Sequence, residues 1–268
     1  METFSLLRSS WLLSSSLVFA GIYILGYCII FARRWPRGAP ERYKAASCCM
    51  SIVHGPSTSL AATLYMIRLF YMERQHPSAY PHDRNSWLNS HLGASNTPFE
   101  EAIMEFSIAY FLIDLLHYVL FVPNQPLFII HHIFTTSYML SCRFYTRHGG
   151  FSTIVLFAVA ECTSWLQNLW TIASLTKSTA LFNKLNIPFL TMFTIFRGIV
   201  TPWATWQLCQ YYLFSLQALA VVPNWLALYW MCSVFMGIVG SLYWVAAHWA
   251  KLIAKSDSSP QPNKRKDL

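Results

Sequence analysis

The stretch HHIFTTSYMLSCRFY, residues 131–145, decides how this chain is read, because it sets two adjacent histidines inside an apolar segment. The apolar residues begin at 127, so the segment 127–145 approaches the roughly 20 helical residues that cross a bilayer. An imidazole is costly in hydrocarbon. Ionisable groups in such segments face a bundle interior or a water-filled cavity, and they mark function. Asp114 and His117 pose the same problem one segment earlier.

Six further apolar runs flank this one, at 11–32, 47–71, 102–121, 150–175, 187–213 and 225–250. Only 11% of the residues are charged and 55% are hydrophobic, against about 25% charged in soluble domains. Backbone in lipid satisfies itself within helices or in a closed barrel. No period-2 alternation of barrel strands is present, so the fold expected is all-α, a polytopic transmembrane bundle of about seven spans.

The net charge of +8 is a topology signal and not a nucleic-acid footprint. Arg33, Arg34, Arg37, Arg42 and Lys44 follow the first span, Lys177 and Lys184 the fifth, and Lys251, Lys255, Lys264, Arg265 and Lys266 the seventh. The opposite side holds Arg8, Arg74, Arg84 and Arg147, with Arg143 close by. The positive-inside rule then predicts a lumenal N-terminus and a cytosolic C-terminus. All seven cysteines lie in apolar spans, which argues against a disulfide framework.

Four regions are expected along the chain. A retained signal-anchor and basic cytosolic loop occupy 1–44, a core 45–215, the last span 216–255, and a disordered basic tail 256–268. The tail ends K-R-K-D-L, with Lys264 and Lys266 in the K-x-K-x-x spacing of coat-protein retrieval to the endoplasmic reticulum. The segment 73–100 reads as the longest loop; the spacing of His76, His82 and His91 matches no metal motif.

Inside the membrane, 1.5 Å of rise per residue places Asp114 about 10 Å from the cytosolic end of its span. His117 is on the same face, one turn deeper. His131 and His132 enter about 6 Å into theirs, His54 lies about 10 Å in, and Arg197 about 15 Å in. Glu161 is nearest the midplane. Residues from five spans thus converge on one polar chamber opening toward the cytosol. Thr135 and Tyr138 share the His131 face, and Ser164 and Asn168 share that of Glu161. Each has a packing alternative: Arg197 neutralising Asp114 or Glu161, an Asp114–His117 clamp between helices, or His54 serving a kink at Gly55–Pro56.

At these residues the chain resembles the TLC family, named for the translocating-chain-associated, longevity-assurance and ceroid-lipofuscinosis proteins. The resemblance rests on S-I-V-H at 51–54, Y-F-L-I-D-L-L at 110–116, I-I-H-H-I-F-T-T at 129–136, A-E-C-T-S-W-L-Q-N at 160–168 and F-R-G-I at 196–199. It implies a six-helix core around a tunnel for long acyl chains, in the endoplasmic reticulum membrane. Ceramide synthases of this family begin their signature with the histidine pair, matched by His131 and His132. They continue to a histidine–aspartate pair where this chain has Phe157 and Ala158, with Glu161 near the last acid. The departure points to the non-synthase branch, implicated in membrane lipid composition.

The favoured function is therefore membrane lipid homeostasis through a membrane lipid or long-chain acyl-CoA, with no cofactor or metal; a homo-oligomer is compatible with it. One alternative is acyl transfer from acyl-CoA, with His131 as nucleophile or base and His132, Asp114 and Glu161 beside it. Imidazole suits that chemistry because it titrates near neutral pH. Another is a transporter, although no inverted repeat accompanies the spans. His54, His117, Thr135, Asn168 and Arg197 are expected to line the lipid chamber.

Overall fold

The computed structural model describes residues 2–75 and 84–257. Seven long helical rods run through them. The first is α1 (Glu2–Leu25) continued by a π turn at Gly26–Ile30, and the second is α2 (Pro40–Gln75). A short α3 (Arg84–Gly93) leads to α4 (Pro98–Phe121) as the third rod. The fourth joins α5 (Pro126–Leu140) to a π turn at Ser141–Thr146. The fifth is α6 (Gly150–Ala160), a 3-10 turn at Glu161–Thr163 and α7 (Ser164–Leu175). The sixth is α8 (Thr179–Ile195), a π turn at Phe196–Val200 and α9 (Thr201–Phe214). After the short α10 (Leu216–Val221), α11 (Asn224–Asp257) closes the bundle.

Among the described residues, four stretches are long and apolar enough to cross a membrane: Trp11–Ile30, Pro98–Phe121, Thr179–Phe214 and Asn224–Ala254. The other rods carry His54, the histidine pair and Glu161, and two of them are broken into the short helices α5, α6 and α7. The expected all-α bundle is what forms. Loop contacts show how the rods alternate. Arg34, after the first rod, donates to the carbonyl of Thr176, after the fifth. At the other end, Asn96 N–H donates to Arg147 O at 2.8 Å and Tyr212 Oη to Leu92 O at 3.4 Å, joining the ends of the second, fourth and sixth rods.

The rods start where the sequence caps them. Thr97 and Glu100 form a reciprocal capping box, with Pro98 in the first turn. Gly149 takes φ +89°, and a Cβ there would stand 2.8 Å from Cys142 Sγ and 2.9 Å from the Trp230 ring, so α6 begins against the core only with glycine. Around this point Met104, Ile108, Met139, Ile154 and Trp230 are fully buried. Tyr138 meets Trp230 edge-on at 5.5 Å, a favoured aromatic geometry.

Two expectations change. The segment 73–100 is not all loop: α2 runs to Gln75 and α3 occupies Arg84–Gly93. Leu92 is buried in the core and Trp87 meets Phe151 edge-on, so α3 is held by an apolar face that its polar neighbours concealed. Arg143 is no loop charge either. It is buried, bonded through Nε to Glu105 at 2.7 Å and through Nη1 to Glu101 at 3.1 Å. His76, His82 and the retrieval-type lysines 264 and 266 lie outside the described residues.

Candidate functional site: two polar centres and the cavities beside them

Two polar centres lie inside the bundle, and they differ in how completely they are bonded. The first is built on Asp114 of α4. Ser47 Oγ donates to its Oδ1 at 2.6 Å, Tyr110 Oη to its Oδ2 at 3.3 Å, and His132 Nε2 lies 2.9 Å from the same Oδ2. His132 Nδ1 sits 2.7 Å from Phe128 O. A carbonyl only accepts, so Nδ1 must carry a hydrogen. One further proton is then held between Nε2 and Asp114, as imidazolium with carboxylate or as neutral ring with acid. Both residues are buried, and every atom of the pair that needs a partner has one.

The second centre is built on Glu161, at the 3-10 break of the fifth rod. Ser164 Oγ donates to its Oε2 at 2.7 Å. His54 Nδ1 is 3.9 Å away and Arg197 Nη2 3.8 Å, both beyond hydrogen-bond reach. His54 Nδ1 and Arg197 Nε are buried without a hydrogen-bond partner. The backbone explains why these groups meet here. Gly55 lets α2 approach the break, since a Cβ would lie 2.9 Å from Ser164 Cβ and 3.2 Å from Glu161 O. Arg197 sits in the π turn before α9. Pro202 has no N–H to give Gly198 O, which favours such a shift in the helix there.

Beside this centre lie two neighbouring cavities, of about 90 and 120 Å³. The first is walled chiefly by Phe111, Met139, Leu156 and Phe157, the second by Phe128, Phe134, Phe193 and Trp244. His131, Arg197, Ser233, Gly237 and Ser241 belong to the walls of both. The His131 ring contacts Thr135 Oγ1 only at 3.4 Å, so it faces the chamber with most of its hydrogen-bonding capacity unused. Among the described residues no three His, Cys, Asp or Glu side chains converge to hold a metal ion.

The TLC domain matches residues 44–250, a stretch that includes both centres and most of α11. The chain belongs to the TLC-domain family. A TLC domain-containing protein of Arabidopsis thaliana is 32% identical over 245 residues, 89% of this chain and 88% of that relative. No solved structure matches. The spans and the domain together make this a membrane protein.

Within the TLC domain, the sequence-predicted residues separate into three groups. Asp114 and His132 pair with each other. His54, Glu161 and Arg197 form the second centre, with His131 and Thr135 on the wall of its chamber. Arg197 therefore faces Glu161 and not Asp114. His117 and Asn168 stand apart from both: His117 Nδ1 pairs with Tyr23 Oη at 3.0 Å, and Asn168 donates back to Ser164 O at 2.7 Å. Sequence reasoning missed Ser47, Ser233, Ser241 and Ser107, whose Oγ lies 3.1 Å from His54 Nε2. A signal for the first existed: Ser47, Ser51, His54 and Thr58 recur at helical spacing in an apolar span, and all four are buried.

Proposed function

We propose that this protein acts in membrane lipid homeostasis, holding a membrane lipid or long-chain acyl group in the chamber between α5, α11 and the fifth and sixth rods. The observation that carries this reading is a pair of largely apolar cavities that share the His131 ring in their walls. Ligand sites are concave and mostly apolar with a few placed polar groups, and this chamber has that character. The basic residues after the first, fifth and seventh spans support a lumenal N-terminus and a cytosolic C-terminus. With that topology the tail is available for coat-protein retrieval to the endoplasmic reticulum. The test is lipidomics of a knockout complemented with wild type or with His131→Ala. A lipid profile restored equally by both would overturn the role given to the chamber.

The placement of His131 favours a second reading, acyl transfer from acyl-CoA. Its ring is the under-bonded base on the chamber wall, whereas His132 is locked to Asp114. Purified protein given long-chain acyl-CoA and acceptor lipids should then release coenzyme A, and His131→Ala should not. Inert wild-type protein would remove this reading. No ceramide is expected as product, because Phe157 and Ala158 carry no acid or base where the synthases place a histidine–aspartate pair.

A further inference from the structure

The loops that follow the first and fifth rods form one basic surface, in which one arginine is structural and three face outward. Arg42 is buried and committed inside the protein. Its Nε donates to Tyr27 O at 2.7 Å, its Nη1 to Trp35 O at 3.1 Å, and its guanidinium lies 4.3 Å above the Tyr27 ring. Gly38, at φ +84°, turns the chain so that its N–H donates to Tyr27 Oη at 3.0 Å. Held in this way, the first loop presents Arg33, Arg34 and Arg37, all exposed. Arg34 donates to Thr176 O and so brings exposed Lys177 of the second loop beside them. Ser178 N–H donates to Ala173 O and Lys177 N–H to Ser174 O, both at 3.0 Å. This Schellman turn sets Lys177 at φ +54°, a position that glycine usually fills.

Charge and depth together select a partner. The stretches 31–47 and 171–186 hold a single acid, Glu41, so the cations there are not matched within the loops. Ile29 and Ile30, at the end of the first span, are 67% and 55% exposed and face the lipid. Arg33 and Arg34 follow within about one helical turn, at the level where the bilayer places its phosphates. A guanidinium matches phosphate oxygens with two parallel hydrogen bonds, which an ammonium cannot do. A choline or ethanolamine head would bring a further cation into this cluster, whereas a head with net negative charge would not. We propose that the surface made by Arg33, Arg34, Arg37 and Lys177 binds the phosphate of an anionic phospholipid in the leaflet that it faces.

The site lies outside the cavities and needs only that the chain spans a membrane, so it stands or falls independently of the lipid chamber. Native mass spectrometry of purified full-length protein at physiological ionic strength can titrate phosphatidic acid and phosphatidylcholine carrying the same acyl chains. Phosphatidic acid should bind at least about 10-fold more tightly, since each basic residue at a membrane surface contributes about 5-fold. Arg33→Gln with Arg37→Gln should weaken it by about 25-fold on the same scale. That double variant leaves the Arg34 bond to Thr176 in place, and an unchanged melting temperature checks that the loops stay folded. Arg33→Lys with Arg37→Lys keeps the charge without the fork and should recover only part of the loss. Lys251→Gln, at an exposed cation of α11, should bind as wild type does. Equal affinity for the two lipids, or a double Gln variant that binds like wild type, would overturn the site. Full recovery in the double Lys variant, or an equal loss in Lys251→Gln, would overturn it by showing diffuse attraction to net charge. Displacement of phosphatidic acid by an equal concentration of coenzyme A would assign the surface to a soluble phosphate and overturn it as a lipid site.

Discussion

The Asp114 centre and the Glu161 centre lie in one bundle and use the same residue types, yet their bonding is opposite. Around Asp114, a serine, a tyrosine and a histidine all lie within 3.3 Å of the carboxyl oxygens. Around Glu161 only Ser164 is that close, and the histidine and arginine stop 3.8–3.9 Å away. A buried polar group costs stability unless it is bonded. The first centre meets that requirement within the chain and reads as a clamp between α2, α4 and α5. The second leaves donors unused beside a cavity, which is the condition of a site that expects a ligand. The adjacent histidines show the same division at one peptide bond: His132 is locked and His131 faces the chamber.

The largest effect should come from breaking a satisfied charge cluster. Arg143→Ala takes the guanidinium away from the buried Glu105 carboxylate, and breaking such a pair costs about 3–5 kcal/mol. Purified variant should lose its folded fraction in thermal unfolding monitored by size-exclusion chromatography. Wild-type behaviour would show that this cluster is not structural.

Next is the clamp itself. His132→Ala removes the nearest partner of Asp114 Oδ2, and losing a hydrogen bond to a buried polar group costs about 1–3 kcal/mol. Its melting temperature should fall clearly. His132→Gln keeps a donor amide and should recover part of the loss; no difference between the two would break the comparison drawn above.

A steric change sharpens it from the other side. Gly55→Ala forces a Cβ to within 2.9 Å of Ser164 Cβ, and overpacking of this kind costs about 1–3 kcal/mol. It should also displace Glu161 and impair the complemented lipid phenotype more than a clamp variant of equal stability does. Equal impairment at equal stability would mean that function simply follows abundance.

The smallest effect on stability is expected at His131. His131→Ala removes a ring whose one hydrogen bond is the weak one to Thr135 and whose other neighbours are the Phe111 and His132 rings, so the melting temperature should fall less than in His132→Ala. The lipid phenotype should be lost all the same. A melting temperature lowered as far as that of His132→Ala would make both histidines structural.

Much of the bundle was legible in the residues alone. Runs of apolar residues long enough for a bilayer and the basic loops imply the rods and their order, because helix length is a local property. That Asp114, the histidine pair, Glu161 and Arg197 belong to one interior was also legible, since charge in hydrocarbon is too costly to scatter. The apolar face of α3 and the burial of Arg143 were not, because their partners lie across the fold: Phe151 for Trp87, Glu101 and Glu105 for Arg143. Which polar residues pair, and which are left facing a cavity, is decided by tenths of an ångström in how rods approach. Only the tertiary packing sets those: the close passage of α2 at Gly55, the 3-10 break at Glu161 and the π turn at Arg197. Sequence determined which side chains had to be inside the bundle; the packing of seven rods decided which of them was satisfied there and which was left free to meet a ligand.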